Sequence, residues 1–406
     1  QRGEAGRVRD CGLQGRGGMV KTGLEVLLTE RLDLLKGRRI GVIANPSSVN
    51  KELNHIVDLF HSHPDIALTT IMGPQHGARG ETQDNMIEWE DYRDPLTGLP
   101  VYSLYGKTRK PTPEMLKNVD LLVFDVQDVG ARYYTFIYTM ALAMEACGEQ
   151  GLEFLVLDRP NPIDGVHLEG PVLDPAFGSF VGLFPLAIRH GLTVGELAHY
   201  FSGECGVICR LEVVPMKGWH RDTSFDDTEL PWIMPSPNIP TLDSALVYPG
   251  LCLLEGTNVS EGRGTTRPFE MSGAPWVDAD QLAKKLNCMP LPGVKFRPVH
   301  YIPTFHKWAG CMIGGVHIHV LDRHSFQPFR TGLAVMMAYR ESGPGEFQWK
   351  QPPYEYEYDR LPIDILLGNG KIREEIERGE SLEQIEAGWQ EDLGAFRRKR
   401  EKYLLY

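Results

Sequence analysis

Nowhere in these 406 residues is there a run of about 18 apolar residues, so no segment reads as a transmembrane helix. Cysteine is sparse and unpatterned. The seven residues Cys11, Cys147, Cys205, Cys209, Cys252, Cys288 and Cys311 are odd in number and contain no CxxC. That spacing excludes a disulfide framework and points to a reducing compartment. Cys205 and Cys209 supply only two of the four ligands that a structural zinc needs. Net positive charge is missing too. Lys and Arg total 42 against 54 Asp and Glu, a formal charge of −12. Such a surface argues against nonspecific binding to nucleic acid or anionic lipid. The first 18 residues carry Arg2, Arg7, Arg9, Arg16 and six glycines but no apolar h-region. They read as a disordered stub rather than a signal peptide, so a cytoplasmic location is expected.

Common catalytic and cofactor motifs are also lacking. No GxGxxG follows a strand pattern, so dinucleotide binding has no support. Gly106-Lys107-Thr108 resembles the end of a P-loop, but Val101 stands where the first Gly is required. There is no HExxH and no GxSxG. Ser48 to Lys51 matches SxxK without its SDN partner, which leaves a serine acyl-hydrolase weakly supported. His317 and His319 alternate on one strand face with no third ligand clustered near them. No cofactor and no metal is expected.

What is plentiful is Gly and Pro, about 18% of the chain against an average near 12%. They punctuate a repeated strand–loop–helix pattern. Residues 39–44, 66–72, 119–126 and 153–157 are short, nearly continuous apolar runs. Residues 51–61 and 132–147 have helical spacing. Buried strands alternating with helices predict an α/β parallel sheet. Shorter strands are expected beyond about residue 246, including 294–298 and 315–320, followed by helix over 372–403. The closing basic cluster Arg397-Arg398-Lys399-Arg400 reads as complementing a helix C-terminus rather than as a nucleic-acid site.

Ligands bind at the carboxyl ends of parallel strands, and the polar loops lie just past those ends. The first runs through Gln75, His76, Arg79 and Glu81 into Gln83, Asp84, Asn85, Glu88 and Glu90. A second holds Asp125, Gln127, Asp128, Arg132, Tyr133 and Tyr134, and a third Asp158, Arg159, Asn161 and Glu169. In the second half, residues 255–266 contribute Glu255, Asn258, Glu261 and Arg263. Amides and carboxylates in this density suit a carbohydrate site, where two carboxyls do acid–base or nucleophilic work. Each residue also has a plainer structural reading. Asp158-Arg159 would serve as a local ion pair, Asp125 as a helix cap, and Arg263 as a tie between loops.

The segments GPQHGARGE (73–81), FDVQDVGARYYT (124–135), LDRPNPIDG (157–165), RHGLTVGELA (189–198), PSPNIPT (235–241) and YPGLCLLEGTNVSEGRGTTRPFE (248–270) make the resemblance specific. In that order they resemble the NamZ (YbbC-like) exo-β-N-acetylmuramidases, formerly a domain of unknown function. The resemblance implies a Rossmann-like parallel-sheet domain, here 19–245, and a smaller α+β C-terminal domain, here 246–406, with the active-site cleft between them. It implies release of N-acetylmuramic acid (MurNAc) from the non-reducing end of peptidoglycan fragments, without metal or nucleotide. The expected partners are MurNAc saccharides or muropeptides, not nucleic acid or membrane.

One residue departs from the family pattern. The family's loop reads P-E-H-G, and Gln75 stands where that Glu, its leading catalytic candidate, belongs. An amide neither transfers a proton near neutrality nor acts as a carboxylate nucleophile. Three readings stay open. Glu81 takes the role, or Gln75 binds sugar while Glu169 and Asp128 do the chemistry, or the protein binds muropeptides without hydrolysis. The carboxyl pair expected is Glu81 and Glu169, with Asp128 as substitute. His76, Arg79, Gln127, Arg132, Arg159 and Asn161 are expected to position the sugar and its lactyl carboxylate.

Overall fold

The computed structural model describes residues 19–82 and 86–406. The expected stub at 1–18 and the loop residues Gln83, Asp84 and Asn85 lie outside the described residues.

Apolar runs become strands where they were expected. β1 (Arg39–Ala44), β2 (Ala67–Gly73), β3 (Tyr92–Arg93), β4 (Pro100–Ser103), β5 (Leu121–Asp125) and β6 (Glu153–Leu157) follow in order. The hairpin of β7 (Glu169–Val172) and β8 (Ala187–Arg189) comes next, then β9 (Arg210–Val214). Seven of these form one sheet in the order β3-β4-β2-β1-β5-β6-β9, parallel except at the β3 edge. β5 is buried at every residue, as a central parallel strand covered on both faces must be. From β1 the chain winds outward through β2 to β4. It then returns to β5 on the other side of β1 and winds out to β9. The switch point therefore falls between β1 and β5.

Helix starts differ from the expected ones for local reasons. The helix expected over 51–61 begins at Ile56, because the His55 side chain accepts from the Val57 N–H and caps it there. The one expected from 132 is Phe136–Gln150, ended by Gly151 at φ 66. Residues 132–135 are a turn instead, and Tyr138 donates back to the Arg132 carbonyl.

The second half is built around a three-stranded antiparallel sheet, β10 (Met271–Ala274), β11 (Val294–Tyr301) and β12 (Ile313–Val320), in the order β10-β12-β11. The expectation of shorter strands fails here, since β11 and β12 have 8 residues each and β1 has 6. β11 alternates buried and exposed residues and β12 has two glycines near its start, so neither carries a continuous apolar run that marks its full length. The helix expected over 372–403 is three helices, Lys371–Arg378, Leu382–Ala387 and Gln390–Arg400. Gly379 at φ 78 stops the first, and a Ser381–Gln384 capping box starts the second. The expected boundary at 245/246 falls inside the helix Leu242–Leu251. That helix crosses the helix Pro328–Ser342 with Gly250 against Gly332, where a Cβ would meet backbone at 1.9 to 2.2 Å. The close crossing sets the direction of the turn that follows it, Cys252–Gly256, which carries Glu255.

Candidate active site

At the switch point between β1 and β5 the chain has filled the crevice itself. Arg159 donates to both oxygens of Asp125, at 2.6 and 2.9 Å, and to the Val49 carbonyl. Asn45 donates to the Pro235 carbonyl, and Gln127 donates to the carbonyls of Asp128 and Pro160, each at 2.7 Å. Asn161 donates to the Leu192 carbonyl. Asp125, Gln127, Arg159 and Asn161 are all buried and mutually satisfied. They lock the strand ends together. The plainer roles expected for two of them differ: the Arg159 guanidinium pairs with Asp125 rather than with Asp158, and Asp125 thereby serves as its counter-ion rather than as a helix cap.

Several other expected residues are committed in the same way. Arg132 is fully buried and donates to the carbonyls of Pro171, Leu186 and Leu366, tying the first half to the helix Pro362–Leu367. Burial pushes its guanidinium down to about 10. Asp158 takes four donors, the N–H groups of Arg159 and Gly195 and the hydroxyls of Thr193 and Tyr406. It anchors the start of the helix Val194–Glu204. Burial pushes its carboxyl up to about 7 against those donors. A raised acid is thus not by itself a site. Arg79 pairs with Asp58 at 3.2 Å and Asp94 at 3.3 Å. Asn258 bridges Glu346 and Gln348.

The three expected catalytic carboxyls do not line the pocket described below. Glu81 is exposed and closes its own loop, accepting from the Arg79 N–H and the Tyr92 hydroxyl. Glu169 pairs with Arg189 at 2.8 Å and accepts from the Phe329 N–H at the start of the helix Pro328–Ser342. Asp128 accepts from the Gly130 N–H and lies 3.3 Å from His190, both of them buried. Sequence spacing placed them near strand ends, but their side chains turn to serve helix starts and turns instead.

Of the sequence-derived set, the structure brings Gln75, His76, Tyr133, Tyr134, Glu255 and Arg263 together. With Thr135, Ser236, Asn238, Tyr248, Tyr354 and Glu355 they line a pocket past the end of β2, between the two halves. A larger cavity of about 510 Å³ lies between β7 and the C-terminal helices. Of its acids Asp174, Glu375 and Asp392, the first caps the turn Pro175–Phe177 and the second pairs with Lys371, so chemistry favours the narrower pocket.

Glu355 is the residue that sequence reasoning missed. Tyr354 and Glu357 exchange two backbone hydrogen bonds of 2.9 Å, making a tight hairpin with Glu355 and Tyr356 at its tip. Both tip residues have positive φ, 44 and 67. That backbone normally calls for Asn-Gly, and each bulky residue held there costs on the order of 1–3 kcal/mol. The tip is gripped by the first half. Tyr105 donates to Glu355 at 2.8 Å, Tyr356 donates to Glu88 at 2.9 Å, and Arg109 stacks 3.3 Å from the Tyr356 ring centre.

Two carboxyls of the pocket have different partners. Burial pushes Glu355 up to about 7, helped by the nearby Glu255 and opposed by hydrogen bonds from Tyr105 and Gln75. Gln75 accepts from Thr135 at 2.8 Å, which leaves its amide N–H to face Glu355. Glu255 is ion-paired with Arg263 at 2.8 Å and accepts from Tyr354 at 2.6 Å. Behind it, Arg263 also reaches Glu261, which pairs with Lys307 and His306. Burial opposes the charge on Glu261, yet Lys307, His306 and Arg263 hold its carboxyl well below the usual range. The pocket therefore offers one acid able to hold a proton at neutrality beside one carboxylate clamped by an arginine.

Comparison with known proteins agrees with this architecture. Family models described as exo-β-N-acetylmuramidase NamZ, N-terminal and C-terminal, match residues 40–243 and 246–406. Peptidoglycan β-N-acetylmuramidase NamZ of Bacillus subtilis (strain 168) is 50% identical over 387 residues, covering 95% of this chain and 91% of that protein. A crystal structure of a DUF1343 family protein from Bacteroides fragilis NCTC 9343 superposes with TM-score 0.86 at 40% identity, covering 96% of this chain and 99% of that one. A second from the same strain gives 0.73 at 29% identity, with the same coverages. The chain belongs to the exo-β-N-acetylmuramidase NamZ family.

Proposed function

We propose that this chain is an exo-acting glycosidase that releases MurNAc from the non-reducing end of peptidoglycan fragments, with Glu355 as its general acid. The observation that carries the assignment is a buried carboxyl raised to about 7 beside a second, arginine-paired carboxyl in one pocket. Glycosidases need such a pair, one carboxyl protonated to release the leaving oxygen and one ionised on the other side of the sugar. Glu355 gives its proton to the glycosidic oxygen. Glu255 faces the developing positive charge at the anomeric carbon, either activating water or attacking directly.

Gln75 no longer needs to be a catalytic carboxyl in this scheme. Its amide holds Glu355 in place and leaves His76 beside the sugar. Six cysteines among the described residues are free thiols, which supports a reducing compartment and work on fragments taken into the cell.

The test is liberation of MurNAc from MurNAc–GlcNAc or from a chromogenic β-N-acetylmuramide. Wild type should turn both over, and Glu355→Gln should lose at least about a hundredfold in kcat. Binding by calorimetry without any product would instead make the chain a muropeptide-binding protein using the same pocket.

A further inference from the structure

The arginines that the sequence offered for a sugar's carboxylate are all spent. Arg263 holds two glutamates, Arg79 two aspartates, Arg159 Asp125, and Arg132 three carbonyls. Arg109 differs. Among the described residues it makes no ion pair, and its buried Nε has no hydrogen-bond partner. It is half-buried on the segment that follows β4, the segment that also supplies Tyr105.

Three aromatic rings hold it in place. Its guanidinium carbon lies 3.3 Å from the ring centre of Tyr356, 5.3 Å from that of Phe180 and 5.8 Å from that of Tyr105. Tyr356 follows Glu355 in the hairpin tip, Tyr105 donates to Glu355, and Phe180 precedes the pocket-lining Val181. Stacking fixes the plane of the guanidinium and leaves its N–H edge to bind an anion. A cation already stripped of part of its water, hydrogen-bonded to Tyr356 and close to Glu355 but in no ion pair among the described residues, is ready for a carboxylate.

We propose that Arg109 is the specificity-determining residue of this site, binding the lactyl carboxylate that distinguishes MurNAc from N-acetylglucosamine. The inference rests on the glycosidase reading above and on Glu355 lying at the reacting centre. The lactyl ether hangs from the same sugar ring that carries the scissile bond. Its carboxylate must therefore fall within a side chain's length of the acid, where Arg109 stands. A neutral substituent there would leave the guanidinium unpaired, so the site rejects sugars without the acid.

The experiment compares a chromogenic β-N-acetylmuramide with its lactyl methyl ester and with the matching β-N-acetylglucosaminide. In wild type, kcat/KM should fall about 10- to 100-fold from acid to ester, the range of a charge-assisted contact. In Arg109→Gln the acid-to-ester ratio should fall toward 1, with the acid losing a similar factor in KM beyond any loss in kcat that acid and ester share from a loosened hairpin tip. Arg109→Lys should restore part of the preference, which also controls for misfolding. An acid-to-ester ratio in Arg109→Gln equal to that of wild type would overturn the inference. Should wild type turn over none of the three, the glycosidase reading fails separately. Calorimetry with methyl β-N-acetylmuramide then decides: weaker binding by Arg109→Gln supports the inference, and equal binding overturns it.

Discussion

Two buried polar clusters lie at the strand ends of this sheet, and they have opposite electrostatic outcomes. In the crevice between β1 and β5, Asp125 has Arg159 on both oxygens, and the amides around it end on carbonyls. In the pocket past β2, Glu355 meets a hydroxyl and an amide, with Glu255 beside it, and among the described residues it has no ion pair, Arg109 acting on it only at longer range. Similar residue types at similar positions thus make a lock in one place and a reactive acid in the other. The difference is the partner. A carboxylate with a bidentate arginine is held as a structural charge. One left among neutral donors and a like charge keeps its proton until near neutrality. Open α/β sheets bind ligands at the switch point, and here that position has been given to stability.

The largest expected break of this contrast is Glu355→Gln, which should lower kcat/KM for a chromogenic muramide about a thousandfold while the far-ultraviolet spectrum stays unchanged. In wild type the same group sets the alkaline limb. The acid must be protonated, so kcat/KM should fall as pH rises through about 7. A limb unmoved from the usual carboxylate range would remove Glu355 from the role.

Asp125→Asn should do the reverse. It leaves Arg159 buried without its charge partner, at a cost of about 3 kcal/mol in urea unfolding. Activity per folded molecule should stay within about threefold of wild type. A large catalytic loss with normal stability would move the chemistry back to the switch point.

A smaller effect concerns stability against pH. The folded pKa of Glu355, about 7, lies above its ordinary 4.5, so the folded state keeps a proton that the unfolded chain releases. Its contribution is full below about 4.5 and lost as pH rises through 7. Glu355→Gln should therefore gain stability relative to wild type at pH 8 but not at pH 4, by up to about 3 kcal/mol in urea melts. The smallest expected change is in Gln75→Glu. A carboxylate beside Glu355 should move the alkaline limb up by about one pH unit or less. An unmoved limb would show that Gln75 and Glu355 are not in contact in solution.

How much of this was legible depends on how local each signal is. β1 and β6 follow their apolar runs residue for residue, because burial of a parallel strand is written in consecutive residues. The loops carrying Gln75 and Glu255 were found for a related reason, since strand ends and Gly/Pro punctuation mark them. Glu81, Glu169 and Asp128 looked equally good and went elsewhere. Their direction is set by Tyr92, Arg189 and His190, which lie 11, 20 and 62 positions away in the chain. Glu355 left no trace at all. Its segment, Pro352-Pro353-Tyr354-Glu355-Tyr356-Glu357, contains no Gly or Asn to announce a turn with positive φ. The tip exists only because Tyr105, Glu88 and Arg109 hold it from more than 240 positions away.

The sequence by itself determined the parallel sheet, the family and the loops from which a site would be drawn, because those follow from short-range pattern and order. Tertiary structure alone decided which acids became counter-ions and which one kept its proton. A carboxyl's chemistry is set by the charges, donors and water that folding places around it, and those come from distant parts of the chain.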